Sequence, residues 1–182
     1  MRIIIRGVPT RKAYIAYLKR HLPNAEWCMD QKQDAMDTFL RALEMAGDEP
    51  CIHMEDDAIL CRGFEEKVKA VIAERPHDLI NFFSRRKDDL DKGSRYDYRF
   101  SYNICFYLPE FYSADILRYY EKWEDKGQHP TGYDLMMDDW LRERSERHWI
   151  HVPSLVDHWE GKSSIDRRRN SKRQSYTFSD PV

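Results

Sequence analysis

Short apolar runs and longer amphipathic stretches alternate along the chain, a pattern that predicts layered α/β structure. Arg2 to Arg6 is a β-branched run closed by Gly7 and Pro9, and residues 11–21 then read as a helix with Tyr14, Tyr17, Leu18 and His21 on one side. Ala25 to Met29 is a short strand ending at Asp30. Residues 33–46 place Met36, Phe39, Leu40 and Leu43 at helical core spacing, with Gly47 as the stop. Cys51 to Met54 reads as a buried strand, Phe64 to Glu74 as an amphipathic helix and Leu79 to Ser84 as a strand. Residues 85–97 are charged, contain Gly93 and read as a mobile loop. Phe100 to Leu108 is strand-like. Pro109 opens a helix carrying Tyr112, Ile116, Tyr120 and Trp123, and a turn from Gly127 to Gly132 leads into a helix over Tyr133 to Arg144. Trp149 to Val156 reads as the last strand.

With no internal repeat and no interdomain linker, the pattern predicts one domain over residues 1–161 and a polar, basic tail over 162–182. The predicted fold is a single Rossmann-like domain, a mixed central sheet flanked by helices.

Composition changes this picture little. The chain has 182 residues, 41% hydrophobic and 34% charged, enough apolar material for a core. The formal net charge of −2 provides no global field for nucleic acid, although Asp166 to Arg173 holds five basic side chains and one acid. Aromatic residues reach 13%; rings of this kind stack on sugar faces, and they equally well fill a core. Cys28, Cys51, Cys61 and Cys105 show no CxxC spacing and read as reduced thiols of a cytoplasmic protein. No apolar run approaches the roughly 18 residues of a membrane span, and no secretory signal is visible.

The most informative stretch runs from Cys51 to Ala58, where a buried strand leads into Glu55, Asp56 and Asp57. Three adjacent acids repel one another and gain from a compensating cation. Ligands in α/β sheets collect at the carboxyl ends of strands. On an extended backbone Glu55 and Asp57 point one way and Asp56 the other, and two oxygen donors spaced in this manner suit a hard divalent ion that also grips phosphates. A solvated acidic loop is the alternative.

The segment from His53 through Glu55-Asp56-Asp57 to Phe64 resembles the DxD region of GT-A glycosyltransferases, and is similar to that of small phage-encoded and lipopolysaccharide-type members. Downstream, Val152-Pro-Ser-Leu-Val-Asp-His158 with its Gly/Ser loop resembles the closing motif of those phage proteins, and Gly132-Tyr-Asp134 resembles the start of their acceptor-side helix. The resemblance covers Met1 to about Phe178. It implies a GT-A-like domain and a metal-dependent hexosyl- or pentosyltransferase. Such an enzyme uses Mn2+ or Mg2+ and moves sugar from a nucleoside diphosphate sugar, such as a UDP-sugar, to a hydroxyl acceptor. For a phage enzyme acting in the bacterial cytoplasm, a modified base in DNA is a candidate acceptor.

By the same resemblance, Asp57 is the direct metal ligand, with Glu55 and His158 as further ligands and Glu55 and Asp56 in contact with the nucleotide. Glu55 stands where the family more often has Asp. Asp30 falls where the family places an acid near the nucleobase. Pro9 and Arg11 follow the first strand, and Arg11 suits a diphosphate; turn chemistry and solvation are the competing reading for all three. Asp134 and Asp138, at i and i+4, are candidates for the general base, with a solvated helix face as the alternative. Lys162, Arg167 and Arg168 are candidates for neutralising the diphosphate, and the tail is a candidate lid. Two other classes compete with this reading: a metal-dependent nuclease or phosphoesterase, and a nucleic-acid-binding module built on the basic tail. Oligomeric state is not legible.

Overall fold

The computed structural model describes residues 1–159 and 173–182. The chain folds as a mixed α/β domain whose seven-stranded sheet has the order β2-β1-β3-β7-β5-β8-β6. Three parallel strands form one half: β1 (Arg2–Gly7), β2 (Glu26–Met29) and β3 (Cys51–Glu55). In the other half β7 (Cys105–Leu108) runs antiparallel to both β3 and β5 (Ile80–Asn81). β8 (His148–Ile150) is parallel to β5, and β6 (Arg95–Asp97) is the antiparallel edge.

Strand alternation assigns the two faces. Ile3 and Ile5 of β1 and Ile52 and Met54 of β3 pack with Leu18 of α1 (Lys12–His21) and with Phe64 and Val68 of α3 (Phe64–Glu74). On the opposite face Phe106 and Leu108 pack with Phe39 and Leu43 of α2 (Ala35–Ala46). Ile116 of α5 (Tyr112–Lys122) and Met136, Met137, Trp140 and Leu141 of α6 (Tyr133–Glu143) complete that layer. β1 and β3, covered on both faces, are accordingly near-continuous apolar runs. α2 begins where Asp34 accepts the Met36 and Asp37 N–H groups, and it stops at Gly47, whose φ of +62° suits a residue without Cβ. The four cysteines are free and buried. No helix among the described residues is long and apolar enough to cross a membrane.

Five expectations change. The charged stretch 85–97 is not a loop throughout: it holds a short helix, α4 (Asp89–Lys92), and the edge strand β6. Its charges are paired inward, Arg95 with Asp89 at 2.8 Å and Arg86 with Asp97. The expected strand Leu79 to Ser84 shortens to β5, and Phe100 to Leu108 shortens to β7. Between those strands Asn81 Nδ2 donates to the Ser101 and Tyr102 carbonyls, a side chain taking the place of the ladder. The single last strand becomes two: β8 stays in the main sheet, and β9 (Val156–His158) pairs with β4 (Ala58–Leu60) in a separate two-stranded sheet. Pro153, which has no N–H to give to a ladder, lies at the break. Finally, residues 173–182 belong to the folded body. Ser175 donates its N–H to Asp157, and Asp180 accepts the Arg62 N–H. Phe178 packs on the first core.

Candidate functional site

β1 and β3 are parallel neighbours, so their carboxyl ends open on the same edge of the sheet. There the loop after β1, the turn after β2 and the end of β3 surround a cavity of about 470 Å³. Its lining includes Arg6, Pro9, Arg11, Asp30, Glu55, Asp56 and Tyr133.

The acidic segment divides at Glu55. The extended backbone of β3 ends there, and Asp56 and Asp57 form a turn into β4. The expected alternation therefore stops at Glu55: Asp56 does not point away from Asp57, because the Arg11 guanidinium joins them. Arg11 Nη1 lies 2.6 Å from Asp56 Oδ1 and 2.8 Å from Asp57 Oδ2. The other Asp56 oxygen accepts the Val8 N–H at 2.7 Å, tying the loop after β1 to the acids.

His158 reaches this point through the small sheet. β4 and β9 run antiparallel with Ala58 opposite His158, which brings the imidazole to the residue before Ala58. His158 Nε2 is 3.3 Å from Asp57 Oδ2, and the Trp159 N–H donates to the Asp57 carbonyl. Asp57 and His158 are both buried. They stand behind Arg11 and do not themselves line the cavity.

Glu55 has a different environment. The Tyr133 hydroxyl donates to Glu55 Oε1, and Arg6 Nη2 approaches that oxygen at 3.8 Å. The Arg6 guanidinium lies 5.1 Å from the Phe39 ring centre and 4.9 Å from that of Tyr133, and donates to the Asn103 carbonyl at 2.9 Å.

These environments separate the two carboxyls. Burial, then the charge of Asp57, pushes the Glu55 carboxyl above its ordinary range; Arg6 and Tyr133 only partly oppose this. Burial also pushes Asp57 upward, but the hydrogen bond and charge of His158, with Arg11, outweigh it and hold Asp57 below the ordinary value. His158 responds in kind: burial lowers it, Asp57 raises it, and the net direction is up. Asp56 is raised by burial against the pull of Arg11.

The other expected site residues separate as well. Pro9 and Arg11 line the cavity. Asp30 also lines it, but Asp30 Oδ1 accepts the Lys32 and Asp34 N–H groups, so this acid shapes the turn after β2. Asp134 follows Tyr133 on α6, is half-buried, and its Oδ1 accepts the N–H of Leu135. Asp138 is turned into the protein: it accepts the Phe100 N–H at 2.7 Å and pairs with Arg142, and it does not line the cavity. Lys162, Arg167 and Arg168 lie outside the described residues. Arg6 and Tyr133 were absent from the expected set, although a cation closing an apolar parallel strand was a visible signal for Arg6.

Among the described residues no group of three or more His, Cys, Asp and Glu side chains could by itself hold a metal ion. Two donor residues do meet: Asp57 Oδ2 and His158 Nε2 lie 3.3 Å apart, Asp57 Oδ1 is buried without a hydrogen-bond partner among the described residues, and a carboxylate with an imidazole suits Mn2+. Such a pair fits a cation that takes its remaining ligands from water and substrate phosphates, as Mg2+ commonly does.

No protein-family model and no curated protein matches the chain. Among solved structures it is similar to the crystal structure of A197 from STIV, a virus protein, at 16% identity over 98% of each chain, with a TM-score of 0.48.

Proposed function

We propose that the protein is a metal-dependent glycosyltransferase that moves a sugar from a nucleoside diphosphate sugar to a hydroxyl acceptor. The observation that carries this reading is the meeting of Asp57 and His158 at 3.3 Å, immediately behind a cavity lined by Glu55, Asp56 and Arg11 at the carboxyl ends of β1 and β3. The resemblance of the segments around Glu55–Asp57 and Val152–His158 to GT-A motifs points the same way.

On this reading the nucleotide lies in the cavity beside Pro9, Asp30 and Glu55, with its diphosphate toward Arg11. Asp57 and His158 would hold the divalent cation, with Glu55 as a further candidate ligand. Bound there, that ion would offset charge on the departing diphosphate. Arg6, fixed against Phe39 and Tyr133, keeps Glu55 in place. Asp134 does not line the cavity itself but follows Tyr133, which does; on this reading it takes the proton of the acceptor hydroxyl as the acceptor oxygen bonds to the anomeric carbon and the sugar–phosphate bond breaks. A modified base in phage DNA is one candidate acceptor.

A thermal-shift screen of UDP, GDP, ADP and CDP, each with and without Mn2+, tests the proposal. Stabilisation by one nucleotide that depends on Mn2+ is expected; no response to any of them sinks the reading.

A further inference from the structure

Arg11 stands in two places at once. It lines the cavity, and its Nη1 contacts both Asp56 and Asp57, whose residues are only 1% and 4% exposed. The coulombic pull of Asp57 and Asp56 raises the guanidinium above its already high ordinary value against burial, so it is charged at every working pH. A guanidinium and a divalent cation make the same demand on carboxylate oxygens. They cannot both occupy the face of Asp57 Oδ2 that also receives His158.

Asp57 Oδ1 supplies the second observation. It is buried and has no hydrogen-bond partner among the described residues, while its twin oxygen is shared by Arg11 and His158. A carboxylate fully adapted to Arg11 would place both oxygens on the guanidinium fork. Here Nη1 meets one oxygen of each acid, which leaves Asp57 Oδ1 open to a compact doubly charged ion.

We propose that Arg11 is the internal counter-ion of the Asp56–Asp57 pair, that a divalent cation replaces it there, and that the released guanidinium turns into the cavity to hold the diphosphate. This exchange rests on the glycosyl-transfer reading and adds a regulatory property to it. Metal and nucleotide binding become mutually reinforcing, because the diphosphate draws Arg11 off the acids that the metal needs. The metal alone binds weakly, because it must first displace Arg11 from both carboxylates.

The test is titration with Mn2+ alone, followed by the electron paramagnetic resonance signal of the free ion, in wild type and Arg11→Gln, and repeated with UDP, GDP, ADP and CDP present. Arg11→Gln is expected to bind Mn2+ alone roughly tenfold more tightly than wild type, and the enhancement of Mn2+ binding by nucleotide is expected to shrink. Equal or weaker Mn2+ binding by the variant overturns the exchange. If wild type still binds Mn2+ together with one nucleotide, that result leaves the glycosyl-transfer reading standing. Failure of both proteins to bind Mn2+ under any condition removes both. Should Arg11→Gln not fold, the Nε–H resonance of Arg11 in labelled wild-type protein decides. It should move when nucleotide and Mg2+ are added together and much less with Mg2+ alone; no movement with the pair overturns the exchange.

Discussion

Glu55 and Asp57 are two residues apart, yet they sit in opposite electrostatic regimes. Each is near an arginine and one further polar ring, Arg6 and Tyr133 for Glu55, Arg11 and His158 for Asp57. The arginine on the Glu55 side stands off at 3.8 Å and stacks between aromatic rings, while the one on the Asp57 side is in direct contact at 2.8 Å. Desolvation wins on the first side and ion pairing on the second, so one carboxyl moves toward neutrality and the other toward permanent charge. Chemical type alone therefore does not set the role of an acid; the contact distance and hydration of its partner do.

The largest expected effect comes from breaking the charged side. Asp57→Asn removes the carboxylate that Arg11 and His158 share, and should cost about 3 kcal/mol in urea denaturation, the scale for removing one partner of a buried pair. Nucleotide-dependent Mn2+ binding should disappear with it. A loss as small as that of a surface mutant would show that the Asp57 side is not the tighter one.

Tyr133→Phe should cost about 1 kcal/mol, since it removes one hydrogen bond to Glu55. Because the Tyr133 hydrogen bond lowers the Glu55 pKa, its loss should raise that pKa further, which carboxyl carbon-13 NMR reports. A downward shift would reverse the assignment of that hydroxyl as donor. Glu55→Gln should change stability by less than about 0.5 kcal/mol, because burial already favours the uncharged form.

The last test needs no substitution. His158 is raised above 6.5 and so stabilises the fold fully below that pH, with the contribution lost as pH rises through the higher folded value. Asp57 is held below 3.8 and contributes fully above that pH, with the contribution lost as pH falls through the lower folded value. Together they favour the window between these two ordinary values. In metal-free buffer the urea midpoint of wild type should fall from pH 6 to pH 8, and that of His158→Gln should fall less. Equal slopes would remove His158 from the pair.

The sequence carried the fold wherever burial imposed a period. Ile3 to Ile5, Cys51 to Met54 and the α2 residues Met36, Phe39 and Leu43 are buried in the elements their spacing predicts. It failed where side chains did the work of backbone: Asn81 shortens β5, and the inward ion pairs of Arg86 and Arg95 fold a stretch that composition alone read as a loop. In the site, the acids and His158 were legible as motifs, and their meeting was an expectation that only the β4–β9 register could deliver. The clamp of Arg11 across two acids and the rings around Arg6 were not legible, because no spacing rule encodes which neighbour a long side chain selects. Asp138 shows the reverse: a helical period placed it with Asp134, while its hydrogen bond to the Phe100 N–H commits it to a loop.

The β4–β9 register has a kinetic corollary. Residues 57 and 158 meet through a pairing that spans much of the chain, and contacts of such long range are slow to close and late to form. The parallel core of β1, β2 and β3, with its carboxylates already in the loop beyond, draws on far nearer segments. During synthesis Arg11 and the three acids are therefore all made well before the imidazole arrives, and a chain cut ahead of Val156 would keep β4 without its partner strand and lose the histidine.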